Sequence, residues 1–95
     1  MARRTKIIAT IGPTSEDEST LRGMIEAGMD VARIGLAHGT LDEQVNKFHM
    51  VRHVASDLGK YVGIVVDLPG PKVRCAPFKE GGVELIDDTQ ISLGV

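Results

Sequence analysis

Asp30-Val31-Ala32-Arg33-Ile34-Gly35-Leu36-Ala37-His38-Gly39 is a short apolar run that stops in small, basic and turn-forming residues, and a helical pattern begins directly after it at Thr40. The same arrangement recurs on both sides. Lys6-Ile7-Ile8-Ala9-Thr10-Ile11 ends in Gly12-Pro13-Thr14, and Tyr61-Val62-Gly63-Ile64-Val65-Val66 ends in Asp67-Leu68-Pro69-Gly70-Pro71. A helical stretch separates each pair of runs. Strand, helix, strand, helix, strand is the order of a parallel α/β sheet, in which ligands collect at the carboxyl ends of the strands. Arg33, His38, Asp67 and Lys72 lie at or just beyond those ends. Chemistry is expected there.

The helices follow from periodicity. Leu41, Val45, Phe48, Val51, Ala55 and Leu58 recur at intervals of three and four, which is one helix face. Thr40 and Glu43 have the spacing of a capping box, and Gly59 stands where a C′ glycine belongs. A shorter helix is expected over residues 17–27. Ser15 and Glu18 have capping-box spacing, Leu21, Met24 and Ile25 give its face, and Gly28 stops it. In the strands, alternation places Val31, Arg33 and Gly35 on one face, and likewise Gly63, Val65 and Asp67. The opposite, apolar faces should meet the helices. Arg33 and Asp67 then point to the other side of the sheet, where a charge needs a partner or a ligand.

After Pro71 the helical period disappears. Pro77, Gly81-Gly82 and the alternation in Val83-Glu84-Leu85 and Ile91-Ser92-Leu93 predict antiparallel strands, with a hairpin across Asp87-Asp88. A first unit over residues 1–71 and the start of a second over 72–95 are therefore expected.

Length and composition narrow the function classes. Ninety-five residues suffice for one small domain but are few for a complete α/β enzyme. Eleven basic against thirteen acidic residues give a net charge of −2, with no basic block to suggest nucleic acid. No apolar run approaches membrane-spanning length. The lone Cys75 excludes an internal disulfide and suits a reducing cytosol, so a cytoplasmic protein is expected.

Four blocks in order carry a family resemblance. They are Arg4-Thr5-Lys6-Ile7-Ile8-Ala9-Thr10-Ile11-Gly12-Pro13, Glu26-Ala27-Gly28-Met29-Asp30-Val31-Ala32-Arg33, His38-Gly39, and Asp67 with Gly70-Pro71-Lys72-Val73-Arg74. Together they resemble the amino-terminal part of pyruvate kinase over nearly the whole chain. The resemblance implies the first three strands of a (β/α)₈ barrel, interrupted after the third by a small β-rich lid domain. It implies phosphoryl transfer between phosphoenolpyruvate and ADP, giving pyruvate and ATP, with Mg²⁺ and a homotetramer in the full-length protein. It assigns Arg33 to the substrate phosphate, Pro13 and His38 to the nucleotide, and Arg74 to the nucleotide phosphates. An arginine fork and its permanent charge suit phosphate oxygens and the charge that develops in phosphoryl transfer. Asp67 falls at the position of a carboxylate that helps hold a monovalent cation.

The chain departs from the family pattern at that cation. Where the family usually reads Arg-Leu-Asn-Phe-Ser-His, this chain has Arg33-Ile34-Gly35-Leu36-Ala37-His38, and a Thr that usually follows the Asp is Leu68. Hard cations take oxygen ligands, so the loss of three argues against potassium and leaves Asp67 as a vestige. In potassium-independent members a Lys replaces the Glu after Gly-Pro, and its ammonium stands in for the cation. Lys72 occupies that position. The family's catalytic lysine and magnesium carboxylates lie on later strands, beyond Val95, so the isolated chain is expected to be inactive.

Simpler roles stand beside these. Arg33 could pair with Asp67 across adjacent strands instead of binding phosphate. His49 and His53 have a zinc-compatible spacing but lack the Glu of a zincin motif, which favours a solvated helix face. Asp87-Asp88 fits a turn better than a metal site. Cys75 fits simple packing. Two classes of function remain: part of a phosphotransferase completed by the rest of its barrel, or a non-catalytic relative that binds a phosphorylated metabolite or a protein partner through open sheet edges.

Overall fold

A computed structural model describes residues 3–94. In chain order the elements are β1 (Ile8–Thr10), α1 (Glu18–Ala27), β2 (Val31–Gly35), α2 (Leu41–Asp57) and β3 (Gly63–Asp67). The strands form one parallel sheet in the order β1-β2-β3, as the alternation of elements predicts. Thr10 lies opposite Arg33, Arg33 opposite Val65, and Gly35 opposite Asp67. Backbone bonding continues past the strand ends, with Ile11 N–H donating to Arg33 C=O and Leu36 N–H to Asp67 C=O, both at 2.9 Å. The carboxyl ends of all three strands are thereby held level.

One face of the sheet makes the core. Ala32 and Ile34 are fully buried, and Ala32 packs with Ile11, Leu21, Ile25, Met29, Val51, Val54 and Val62 from the other elements. Both helices end in Schellman caps. In α1, Gly28 has φ 114°, Gly28 N–H donates to Ile25 C=O, and Met29 N–H donates to Met24 C=O. After α2, Gly59 has φ 63° and the bonds run from Gly59 to Ser56 and from Lys60 to Ala55. Gly28 has a second reason to lack a side chain, because a Cβ there would sit 2.6 Å from Arg3 Nη1.

That arginine ties the amino-terminal side of the sheet. Arg3 donates to the carbonyls of Thr5 and Gly28 and to Asp30 Oδ2, which also accepts the Ile7 N–H at 2.8 Å. The Ile7 N–H bond first, and the Arg3 charge with it, hold the Asp30 carboxyl below the usual aspartate range.

Three expectations are corrected. Ser15 does not cap α1. Its hydroxyl accepts the Gly12 N–H at 3.0 Å, while Asp17 is the cap, accepting from Thr20 N–H at 2.9 Å. The expected apolar face of α2 is only half right. Thr40 and Glu43 do form the capping box, and Val51 and Ala55 are buried, but Leu41 is 68% exposed and Val45 and Phe48 are exposed as well. Gln44 and Val54 are buried instead, Val54 in the main core and Gln44 against the His38 turn, to whose carbonyl it donates. Residues 68–94 form no paired strand. Asp87-Asp88 is a turn, with Asp88 at φ 63°, but Val83, Leu85, Ile91 and Leu93 on either side stay unpaired and exposed. A two-stranded hairpin with no covering layer is marginal, and this stretch has none. The radius of gyration of 18.2 Å exceeds the roughly 12 Å of a compact chain of this length for the same reason.

Two outcomes are expected. Leu21→Ala removes a fully buried side chain from the meeting point of both helices and should cost about 3 kcal/mol in urea unfolding, a large fraction of the stability of so small a core. Asp30→Ala should lower the urea midpoint and also flatten its dependence on acid. A carboxyl whose native pKa is depressed contributes stability above its unfolded value, near pH ~3.9, and loses it as pH falls through the native value. The variant should therefore lose less stability than the parent on going below about pH 4.

Candidate functional site

Because Ala32 and Ile34 turn toward the helices, Arg33 must turn the other way. On that face Arg33 Nη1 donates to the Thr10 hydroxyl at 3.1 Å, and Nη2 donates to Asp67 Oδ2. One guanidinium thus links all three strands. A guanidinium has five N–H donors and these bonds use two, which leaves much of the fork free. The pair is half exposed, at 40% and 49% for the two side chains, so it adds little to stability. Pairing of Arg33 with Asp67 is therefore observed, and the remaining donors keep anion binding open to the same side chain.

A cleft of about 550 Å³ lies at the carboxyl ends of the strands. Pro13, Arg33, His38, Asp67, Lys72 and Arg74, all singled out from the sequence, line it together. Local bonds set the loops that carry them. Ser15 braces the turn of Pro13 through the Gly12 N–H, and Ser15 also donates to the Thr10 carbonyl at 3.2 Å. The capping box of Thr40 and Glu43 starts α2 immediately after His38-Gly39. Lys72 and Arg74 sit on the extended stretch after β3 and enter no ion pair among the described residues.

Sequence reasoning missed three residues of this site. Thr10 was read only as part of a strand, yet its hydroxyl holds Arg33. Lys47 sits on α2 with its side chain 16% exposed, 3.4 Å from Glu16, and its basic group adds to the cleft wall. Gln44 is 4% exposed, where helix periodicity places a solvated residue. Its Nε2 donates to the His38 carbonyl, and its Oε1 has no partner among the described residues. The carbonyl settles which end of the amide faces it, since only the NH₂ can donate. Gln44 therefore pins the His38 turn from inside. A signal existed in the capping box, which fixes the phase of the first helical turns.

Lining the cleft are four basic side chains, Arg33, Lys47, Lys72 and Arg74, against one acidic side chain, Asp67. In a chain of net charge −2 that is a local excess of three positive charges among the lining residues, one of which, Lys47, is paired with Glu16 outside the cleft lining. A monovalent cation does not fit the side chains present. Gly35, Ala37 and Leu68 offer no side-chain oxygen, and the one carboxylate, Asp67, already has Arg33 as its partner. On α2, His53 Nε2 lies 3.9 Å from Glu18 Oε1, and no group of three His, Cys, Asp or Glu side chains gathers among the described residues. Nor is any helix of the described residues long and apolar enough to cross a membrane.

Comparison with known proteins gives the family. The family profile described as "Pyruvate kinase, barrel domain" matches residues 2–95. A pyruvate kinase of Thermococcus litoralis is 49% identical over 84 residues, covering 88% of this chain and 18% of the relative. One from Haemophilus influenzae is 43% identical over 83 residues, covering 87% of this chain and 17% of the relative. A crystal structure of a pyruvate kinase from Cryptosporidium parvum superposes with a TM-score of 0.70 at 37% identity, over 73% of this chain and 14% of that one. The chain thus spans less than a fifth of the length of these relatives.

Gln44→Glu tests the internal pin. At neutral pH a buried carboxylate would face the His38 carbonyl with no proton to donate, and the variant should lose about 2 kcal/mol of stability. Protonation restores the donor, so the gap to the parent at matched pH should narrow as the solution is acidified toward pH ~5. Urea titrations of both proteins at the two pH values measure it.

Proposed function

The chain belongs to the pyruvate kinase family, and from that premise we propose that it supplies part of the active site of a phosphotransferase acting between phosphoenolpyruvate and ADP. The observation that carries the proposal is the convergence of four basic side chains on one cleft at the carboxyl ends of parallel strands. Residues 1–71 then form the first three βα units of a (β/α)₈ barrel, whose ligands gather at that end, and residues 72–95 open a β-rich lid. Support for that division comes from the end of the strand ladder at Asp67 and from the exposure of the side chains that follow.

Each residue has a definite task in this proposal. Arg33 takes the transferred phosphoryl group with the donors that Thr10 and Asp67 leave free, and stabilises the charge that spreads over its oxygens. Lys72 and Arg74 add positive charge from the hinge of the lid, with Arg74 on the nucleotide phosphates. Pro13 and His38 wall the nucleotide, held by Ser15 and Gln44. Magnesium, when bound, neutralises charge on the phosphates, and we assign it and the catalytic lysine to strands beyond this chain. Potassium has no place in the scheme, because the side chains around Asp67 do not fit it. The lone Cys75 and the glycolytic substrates support a cytoplasmic protein, and the family resemblance implies a homo-oligomer, a tetramer when complete.

Two measurements test the proposal. The purified 95-residue chain with magnesium, phosphoenolpyruvate and ADP should show no turnover in a coupled assay. Turnover well above blank, abolished by Arg33→Ala, would show that these residues suffice for catalysis. Joined to the rest of its barrel, the protein should be about equally active in potassium and in a bulky organic cation, and Lys72→Glu should impair it. Strong activation by potassium would overturn the assignment at Asp67.

A further inference from the structure

We propose that Asp67 competes with an incoming phosphoryl group for the Arg33 guanidinium, and that Lys72 takes over Asp67 when that group binds. The proposal rests on the phosphoryl site assigned above and adds to it a counter-ion exchange that sets its affinity.

Three observations carry it. The cation partner of Asp67 is Arg33, while Lys72 lines the same cleft and enters no ion pair among the described residues. The glycine at position 35 leaves the space beside the Arg33 guanidinium open. Its φ is not positive, so backbone freedom does not demand glycine there. A Cβ at that position would already touch the guanidinium, at 3.8 Å from Nη1 and 3.9 Å from Nη2, and any longer side chain would compete for the space through which Arg33 reaches Asp67. Lys72, finally, is placed to move. Between residues 68 and 78 the described backbone makes no hydrogen bond, and Lys72 is exposed.

The electrostatics give the direction. A carboxylate beside Arg33 repels a phosphate dianion and offsets the guanidinium charge. In a half-exposed cleft the effective dielectric lies between that of water and about 20, and one unit charge some 5 Å away then changes anion affinity by about tenfold. An ammonium that engages the carboxylate cancels the repulsion and frees Arg33. Both members of the existing pair are half exposed, so the exchange takes place in contact with water and breaks no buried ion pair.

The test is an NMR titration of the ¹⁵N-labelled 95-residue chain with phosphoenolpyruvate at low salt, following backbone amides and the Arg33 Nε–H. Asp67→Asn should bind about tenfold more tightly than the parent, and Asp67→Glu, which keeps the charge, should bind like the parent. Lys72→Ala should weaken binding in the parent by a larger factor than in the Asp67→Asn background, since its effect runs through Asp67. Dispersed spectra show that each variant is folded, and a general loss of structure would weaken binding where the proposal requires it to tighten. Arg33-dependent binding that Asp67→Asn leaves unchanged or weakens, that Asp67→Glu tightens equally, or in which Lys72→Ala acts alike in both backgrounds overturns the exchange and leaves the phosphoryl site standing. Binding that is absent in all variants, or that persists in Arg33→Ala, overturns the phosphoryl site and the exchange with it.

Discussion

Burial of Ala32 and Ile34 under the two helices is the constraint from which the rest follows, because among the described residues β2 is the one strand paired on both sides. Its pleat leaves no choice for Arg33, which must emerge on the opposite face between two neighbours. The register then brings Thr10 beside it and Asp67 one pleat further along. A slip of one residue in either pairing would send Arg33 into the apolar core, at a cost far above any gain from the hydrogen bonds it now makes. Core and site are specified by a single alternation.

The two ends of the sheet are built differently. At the amino-terminal side, Arg3, Asp30 and the Ile7 N–H close a network that ties the chain start to β2, with Gly28 leaving room for the guanidinium. At the carboxyl side, most charged groups have few partners: Lys72 and Arg74 have none among the described residues, and Arg33 keeps donors to spare. These exposed cations are solvated at little cost, and they remain available to an anionic ligand. That asymmetry supports anion binding at one end and stability at the other.

The chain also leaves surfaces that it does not cover. Leu41, Val45 and Phe48 lie along one side of α2, and Arg52 covers part of them, with its guanidinium carbon 5.4 Å from the Phe48 ring centroid and its Nη1 donating to the Val62 carbonyl. Ile8 and Val65 are exposed on the same sheet face as Arg33. In a (β/α)₈ barrel both surfaces are interior seams, covered by further strands and helices. Periodicity marks apolar positions without saying what covers them, so Leu41, Val45 and Phe48 read as part of a core face although the described residues leave them exposed.

From the sequence by itself came the order of elements, the parallel sheet, the capping box at Thr40, the glycine stops at Gly28 and Gly59, and the face on which Arg33 and Asp67 lie. These depend on periodicity and on local backbone chemistry, which neighbouring residues carry in full. The same reading also brought out His38 and Lys72, because they follow strand ends, and the family resemblance added Pro13 and Arg74. Only the tertiary structure decided that Asp67 takes Arg33 as its partner in preference to Lys72, that Gly35 gives that guanidinium its room, and that Gln44 and Lys47 turn inward. Each depends on which side chains from distant positions meet in space, and a helix or strand pattern carries no such information. The residues after Asp67 mark the other limit. Their alternation is a real strand signal, but a strand forms only where a neighbour offers its backbone and a layer covers its apolar side, and the described residues supply neither.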